Sequence, residues 1–246
     1  RKNKRKRKTE NSKRLICMKT LIFDTGPIIS LTVNNLLTLL EPLKEKFKGQ
    51  FLITPAVHAE LVSTPLASKK YKFEALQVQK QIEQGVLSVF EDQRLIEKGT
   101  QLLETANNVF SAHNQALTIC QYAEMQTLAA CTSLSAPAVI DERITRMLVE
   151  QPLQLRKLLE KRLHTSVRLN QNALSIFQQQ AGRIKIIRRV ELVTIAYEKG
   201  LLNDYLVNVP GVKRALLESV LWGVKLHGAA VSEEEIEELL KIEKVL

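Results

Sequence analysis

Three short apolar triplets, each followed at once by polar or turn-forming residues, constrain the fold of this chain more than any other feature. They occupy residues 21–23, 51–53 and 138–140. None of them alternates apolar with polar residues, which is typical of parallel strands covered on both faces. Helical patterns separate the triplets, so we expect right-handed crossovers. The sequence therefore predicts an α/β fold around a parallel sheet.

Carboxylates follow the first and third triplets directly, as Asp24 and Asp141. After the second triplet, Thr54 and Pro55 form a helix-start signal that places Glu60 on the second turn of a helix. Ligands of open α/β sheets bind at the carboxyl ends of the strands, so we expect these acids at one functional edge. For Asp24 alone, capping of the next helix is an equally good interpretation.

The residues around these acids resemble the PIN-domain nucleases, a metal-dependent ribonuclease fold that includes the VapC-type toxin ribonucleases. The matching runs are FDTGPII at 23–29, TPAVHAELV at 54–62 and VIDER at 139–143. A further run, ELVTIAYEKGLL at 191–202, is similar to the ending of a PIN subgroup with an extra helical tail. The resemblance implies a three-layer α/β/α fold with a central parallel sheet, plus inserted and C-terminal helices.

The same resemblance implies an endoribonuclease in which Asp24, Glu60 and Asp141 are both catalytic residues and metal ligands. Carboxylates select hard cations such as Mg²⁺ or Mn²⁺, which activate water and neutralise charge on the attacked phosphate. Without a metal, crowded acids raise each other's pKa. Thr25 is expected to orient Asp24 or to carry a metal-bound water, with helix capping as an equal alternative. RNA is the implied substrate, and a small antitoxin-like protein or a second copy of the chain is an implied partner.

Two arginines follow the third acid closely. Arg143 and Arg146 are placed to meet substrate phosphates, and pairing with Glu142 is the alternative. If the strand continues through Asp141, Glu142 is expected to point to the opposite face.

One position departs from the PIN pattern. The helix before the third acid-bearing strand begins with a Glu in that family, and Gln115 stands there in this chain. We predict one continuous helix from this position, in which Glu124 lies about 180° away and cannot replace the missing acid. A neutral amide predicts weak or Mn²⁺-favoured activity and a gain in metal affinity for Gln115→Glu. The alternative function is a weakly active or inactive PIN-fold module for RNA binding or assembly.

Charge divides the chain unevenly. Residues 1–17 carry nine Lys or Arg and one Glu, which gives +8 of the formal net charge of +10. Such a tail is predicted to be disordered alone and attracted to phosphates; a mis-called start or a processing remnant is the alternative. We expect a PIN-like domain at 18–200, with a helical insertion at about 150–181, and a helical extension at 201–246.

Basic residues cluster within the predicted insertion, and they support either a solvated helix face or an RNA-contacting face. They are Arg156, Lys157, Lys161 and Arg162. The aromatic content of 5% gives poor support to a base-stacking platform.

No apolar run approaches the ~18 residues that a membrane-spanning helix needs, and no secretory signal is evident, so a cytoplasmic location is expected. The three cysteines, Cys17, Cys120 and Cys131, lack the spacing of a disulfide framework or a zinc site. The last two are expected to be buried thiols.

Overall fold

A computed structural model describes residues 19–243 of the chain. Its strands in chain order are β1 (Thr20–Phe23), β2 (Gln50–Ile53), β3 (Leu87–Val89), β4 (Phe110–Ala112), β5 (Gln115–Ala116), β6 (Ala138–Val139), β7 (Arg168–Leu169) and β8 (Ile186–Ile187). Five of them form a central sheet in the order β3-β2-β1-β6-β8, and every pairing in it is parallel. The predicted α/β class and its parallel sheet are confirmed.

Helices flank this sheet on both faces. They are α1 (Thr25–Val33), α2 (Leu40–Phe47), α3 (Pro55–His58, continued by Ala59–Ser63 and Thr64–Ala67), α4 (Lys72–Glu83), α5 (Leu95–Asn107), α6 (Tyr122–Leu134), α7 (Arg143–Glu150), α8 (Pro152–Leu163), α9 (Gln171–Ala181), α10 (Arg189–Glu198), α11 (Val212–Leu226) and α12 (Glu233–Ile242). Single 3₁₀ turns lie at Leu37–Leu39 and Asn203–Tyr205. The described part of the chain is consistent with three layers, α/β/α.

The core has two halves, one on each face of the sheet. Leu21 and Phe23 of β1 belong to the half that also contains residues of α1, α3, α10 and α11. Ile22, between them, belongs to the half that contains residues of α5, α6 and α9. Because both faces of β1 are buried, apolar side chains are favoured on each face of the strand, at residues 21–23. This explains the unbroken apolar triplet in the sequence.

The continuous helix predicted from Gln115 is wrong. Gln115 pairs with Ala112 in an antiparallel hairpin, which with β7 forms a second sheet in the order β5-β4-β7. His113 and Asn114 reverse the chain with φ values of 50° and 62°, in the left-handed region that turns require. Asn107 then accepts hydrogen bonds from the main-chain nitrogens of Ile119 (2.8 Å) and Cys120 (2.9 Å), so the helix starts only at Tyr122.

Helix α3 continues to Ala67 through a π-helical turn, Ala59–Ser63. Pro65 lies in the first turn of the α-helical segment that follows, where a proline is tolerated because its missing N–H is not needed. The predicted helix start is confirmed, since the Thr54 hydroxyl accepts from Val57 N at 3.3 Å. A π turn inside an α-helix often marks a functional site, and this one contains Glu60.

The C-terminal helices pack against the side of the sheet that carries α1. Gly223 of α11 lies so close to the Asn34 side chain that a Cβ atom would come within 2.7 Å of its Oδ1, so glycine permits this approach. Both helices predicted in the insertion are present as α8 and α9, and both predicted thiols, Cys120 and Cys131, are buried.

Two predictions fall partly or wholly outside the described residues. The basic tail at 1–17, with Cys17, is one, and residues 244–246 of the predicted helical extension are the other. Among the helices at 19–243, none has both the length and the apolar character that crossing a bilayer requires.

Candidate metal centre

Asp24 lies at the carboxyl end of β1, the central strand of the sheet, and 4% of its surface is exposed. It occupies the position before α1 but forms no side-chain capping bond with that helix. Its Oδ1 atom finds no hydrogen-bond partner among the described residues. A buried carboxylate oxygen without a partner costs free energy, so it calls for an explanation beyond helix capping.

The surroundings of Asp24 disfavour its charged form. Burial, followed by the nearby carboxylates of Glu124 and Glu60, raises the pKa of Asp24 to about 7, while the main-chain N–H groups of Thr25 and Gly26 oppose the rise. Like charges in one cleft raise each other's pKa unless a cation is present. Asp24 is therefore the centre of an uncompensated acidic cluster.

Glu60 reaches the cluster from the π turn of α3. Its Oε2 atom accepts a hydrogen bond of 2.6 Å from the hydroxyl of Thr25. The Thr25 hydroxyl thus orients Glu60, which is not the Asp24-orienting role expected of it. The contact ties the start of α1 to α3 beside the end of β1.

Glu124 lies in the first turn of α6, close enough to Asp24 to raise its pKa. Its Oε2 atom accepts hydrogen bonds from Gln121 N at 3.1 Å and from the hydroxyl of Thr145 at 2.6 Å. Burial raises the pKa of Glu124, these bonds lower it, and Glu142 and Glu60 raise it further. The expectation that Glu124 faces away from the acids is therefore wrong, because α6 begins seven residues later than predicted.

Glu142 occupies the position before α7 and accepts a bond of 2.6 Å from Thr145 N. Thr145 is fully buried, and it holds two acids at once, Glu142 through its main-chain nitrogen and Glu124 through its hydroxyl. The cluster in the structure therefore consists of Asp24, Glu60, Glu124 and Glu142.

One side chain links the helices that carry two of these acids. Gln126 of α6 accepts a bond of 2.8 Å from Ala56 N at the start of α3, and it donates to Tyr122 Oη at 2.9 Å. An amide that satisfies a main-chain N–H at a helix start fixes the two helices relative to each other. Glu60 and Glu124 are thus held on a common framework.

Asp141 follows the neighbouring strand β6, but its carboxylate contacts Arg189 rather than the other acids. Its Oδ2 lies 3.1 Å from Nε of Arg189, and its Oδ1 accepts from Arg189 N at 2.8 Å. Burial raises the pKa of Asp141, and the Arg189 guanidinium opposes that rise. Arg189, with 1% of its surface exposed, also donates to the carbonyl of Val224 in α11 at 3.0 Å. The predicted ligand Asp141 is thus in a buried ion pair, and Glu142 faces the other acids.

Among residues 19–243, the side chains of the remaining predicted site residues form no hydrogen bond or ion pair with the four acids. Gln115 is exposed on β5. Arg143 is exposed, and within residues 19–243 neither it nor Arg146 forms an ion pair with Glu142. Arg146 instead lies near Asp141, where its charge lowers the pKa of that acid.

The basic residues of the insertion divide into two groups. Arg156 is engaged internally, because its Nε contacts Glu160 Oε1 at 3.3 Å and donates to the carbonyl of Val167 at 2.8 Å. Lys157, Lys161 and Arg162 are exposed on α8. Only the second group is free to contact a ligand.

Sequence reasoning missed Glu124, Glu142 and Thr145. The signal for the first was the pair Gln121 and Glu124, which forms the capping box that starts α6. Glu142 is adjacent to Asp141 in the sequence. Which of the two acids faces the cluster depends on Arg189, which binds Asp141 and lies 48 residues away along the chain.

The donor set fits a hard divalent cation. Within residues 19–243 no three acidic, His or Cys side chains are arranged as a ready-made metal-binding group. However, Glu60 and Glu124 raise the pKa of Asp24, and Glu60 and Glu142 raise that of Glu124. Among the described residues, none of the four acids is paired with a basic side chain. Asp24 also has an oxygen with no partner. Carboxylate oxygens are the ligands that Mg²⁺ and Mn²⁺ prefer.

Comparison of the chain with models of known families, with curated proteins and with solved structures gives no significant match.

Proposed function

We propose that this chain is a metal-dependent endoribonuclease of the PIN-like type, which hydrolyses RNA phosphodiesters at the cluster of Asp24, Glu60, Glu124 and Glu142. The observation that carries the proposal is the state of Asp24: a buried carboxylate with a partnerless oxygen, whose pKa is raised to about 7 by burial and by neighbouring acids. Such an arrangement is costly unless a cation neutralises it. Perturbed acids at the carboxyl edge of a parallel sheet are characteristic of functional sites.

In this proposal the four carboxylates hold one or two Mg²⁺ or Mn²⁺ ions. The bound metal supplies an activated water and neutralises charge on the attacked phosphate. The protein supplies the orientation of the ligands. Thr25 holds Glu60, and Thr145 holds both Glu124 and Glu142, so the carboxylates do not have to be ordered when the ion binds.

The ligand set differs from the one inferred from the sequence motifs. Glu124 takes the place expected for an acid at Gln115, and Glu142 takes the place of Asp141. With four carboxylates available, the weak activity expected from Gln115 no longer follows. The proposal keeps RNA as the substrate, a cytoplasmic location, and a small antitoxin-like protein or a second copy of the chain as partners that would cover the acidic cleft.

The test is cleavage of a mixed RNA pool by the full chain with Mg²⁺, with Mn²⁺ and with EDTA. We expect cleavage with a metal, none with EDTA, and a loss of at least about tenfold for Glu124→Gln. The control is Glu238→Gln, the same chemical change at an exposed position of α12. Metal-independent cleavage, or equal cleavage by both variants, would refute the assignment. An absence of cleavage in all conditions would favour a PIN-fold binding module instead.

A further inference from the structure

The connection between α3 and α4 presents lysines and aromatic residues in alternation. Its sequence from Ser68 to Phe73 is SKKYKF, and every residue of it is exposed. We call residues 68–73 the KYKF loop. Tyr71 is 63% exposed and Phe73 68% exposed, although aromatic side chains usually bury most of their surface.

Charge around this loop is positive and unpaired. Between residues 66 and 76 there are three lysines and one acid, Glu74. Among the residues that the structure describes, Lys69, Lys70 and Lys72 form no ion pair. Leu76, one turn into α4, adds a side chain that is 55% exposed. The surface thus combines apolar rings with free ammonium groups.

The loop is held in a defined conformation. Ser68 Oγ accepts from Lys70 N at 3.2 Å and lies within hydrogen-bond distance of the carbonyls of Lys70 (2.9 Å) and Pro65 (3.0 Å). Tyr71 has a φ of 62°, in the left-handed region that a bulky residue rarely adopts. The bonds between the Ser68 hydroxyl and these main-chain groups therefore fix a turn, and the Tyr71 ring in it is exposed to solvent.

The position of the loop connects it to the acidic cluster. It follows α3, the helix that carries Glu60, and seven residues at 1.5 Å each place the end of that helix about 10 Å beyond Glu60. Helix α4, which the loop starts, packs against α1. A chain of a few nucleotides could therefore reach from the loop to the cluster.

We propose that the KYKF loop binds single-stranded RNA, with Tyr71 and Phe73 stacking on bases and the three lysines contacting phosphates. This inference rests on the proposed function and deepens it, because it names the substrate class of the same site. Stacking on exposed rings requires unpaired bases, whereas lysines alone would accept a duplex equally well. The low aromatic content of the whole chain does not predict base stacking. Stacking depends on where the rings lie, and here two exposed rings lie among lysines.

The basic face of the insertion is a weaker candidate for the same role. Helix α8 has no aromatic residue, and its Arg156 is already bound to Glu160 and Val167. The exposed Lys157, Lys161 and Arg162 of α8 therefore provide a matched control, with the same three positive charges and no aromatic residue in the helix.

The experiment measures binding of a labelled RNA of about 12 nucleotides, within the range of single-strand site sizes, as a single strand and as a duplex, by fluorescence anisotropy in EDTA. The main variant is Tyr71→Leu with Phe73→Leu, which keeps the apolar surface but removes the rings. We expect at least about a tenfold loss of affinity for the single strand and little change for the duplex. Tyr205→Leu, at a tyrosine that is 54% exposed elsewhere, should bind as the unaltered chain does.

A second variant, with Lys69, Lys70 and Lys72 all changed to Ala, tests the phosphate contacts. We expect the salt dependence of single-strand binding to flatten, with the slope reduced by about 2, because fewer counterions are released. The control, with Lys157, Lys161 and Arg162 all changed to Ala, removes the same charge and should leave the slope nearly unchanged.

Several results would overturn the assignment: no binding by the unaltered chain, equal single-strand affinity after loss of the rings, or an equal loss for single strand and duplex. A change in oligomeric state on removing the rings, seen by light scattering, would assign the surface to contact between copies and would also overturn it. The binding assay in EDTA does not depend on cleavage. RNA binding in EDTA, together with no cleavage when Mg²⁺ or Mn²⁺ is supplied, would therefore refute only the nuclease proposal.

Discussion

Asp24 and Asp141 are similar residues in equivalent places with opposite surroundings. Each follows one of two neighbouring parallel strands, β1 and β6, and each is buried. Asp24 faces Glu60 and Glu124 and has an oxygen without a partner. Asp141 faces a cation instead. Its Oδ2 lies 3.1 Å from Nε of Arg189 as an ion pair, although these two atoms do not form a hydrogen bond. The strand ends deliver both acids to the same edge of the sheet, and their neighbours give them different roles.

A buried acid that is paired with a cation stabilises the fold, whereas a buried acid without such a pair indicates a functional site. Breaking a buried ion pair leaves an uncompensated charge, so the pair between Asp141 and Arg189 fixes the fold locally. This pair also joins β6 to α10 and, through the carbonyl of Val224, to α11. The Asp24 cluster has no such compensation within the described residues. In the proposed function, a bound cation would supply it.

The largest expected difference between Asp24 and Asp141 is in RNA cleavage. Asp24→Asn should reduce metal-dependent RNA cleavage by at least about 100-fold, because even the hydrogen-bond partners of metal ligands are typically worth about 10–100-fold in activity. Asp141→Asn, the same change one strand away, should retain cleavage per folded molecule. Cleavage assays at a temperature where both variants are folded check this, and a similar loss in both would mean that Asp141 belongs to the site.

The next largest effect is on the free energy of unfolding, which the ion pair of Asp141 with Arg189 is expected to raise. Asp141→Asn and Arg189→Met should each lower the free energy of unfolding by about 3–5 kcal/mol, because each leaves a buried group uncompensated. The double variant should lose less than the sum of the two. Urea denaturation of the metal-free chain measures all three, and additive losses would show that the two side chains do not act as a pair.

A smaller effect concerns pH. The pKa of Asp24 rises from 3.8 in the unfolded chain to about 7 in the folded protein, so the folded state binds more protons between these values. The stability of the metal-free chain should therefore fall as pH rises from about 4 to 7, by on the order of 4 kcal/mol at most.

The Asp24→Asn variant lacks this titrating group, and its stability should vary less over the same range. It should also be more stable than the unaltered chain at pH 7 without metal, because repulsion among the carboxylates is relieved. Thermal unfolding in EDTA at several pH values measures the difference. The same pH dependence in both chains would place the responsible proton elsewhere.

The smallest expected effect is at Gln115. Because this residue is exposed on β5, Gln115→Glu should leave Mn²⁺ affinity unchanged, whereas Glu124→Gln should weaken it. Calorimetric titration of both variants compares them directly. A gain in affinity for Gln115→Glu would restore the original expectation that this position belongs to the metal centre.

Local signals predicted much of this fold correctly. The apolar triplets gave the positions of β1, β2 and β6, and Thr54 caps α3 as expected. Each signal lies within a few residues of the feature it specifies, because caps, turns and buried strands are formed by neighbouring residues.

The errors arose where distant residues decide the conformation. Residues 115–121 have a helical pattern, but the Asn107 side chain binds the main chain of Ile119 and Cys120 and holds this segment outside the helix. That shift moves the start of α6 to Tyr122 and brings Glu124, rather than Gln115, to the acids. The orientation of the helix relative to the sheet could not be read from its own residues.

The sequence by itself determined that parallel strands end at acids and that Asp24 and Glu60 share one edge of the sheet. The tertiary structure alone decided which other acids join them. Asp141 forms an ion pair with Arg189, while Thr145 donates hydrogen bonds to Glu124 and Glu142. The physical reason is that strand and helix signals act over a few residues, whereas the role of a carboxylate depends on the charges and donors that folding brings within a few ångströms of it.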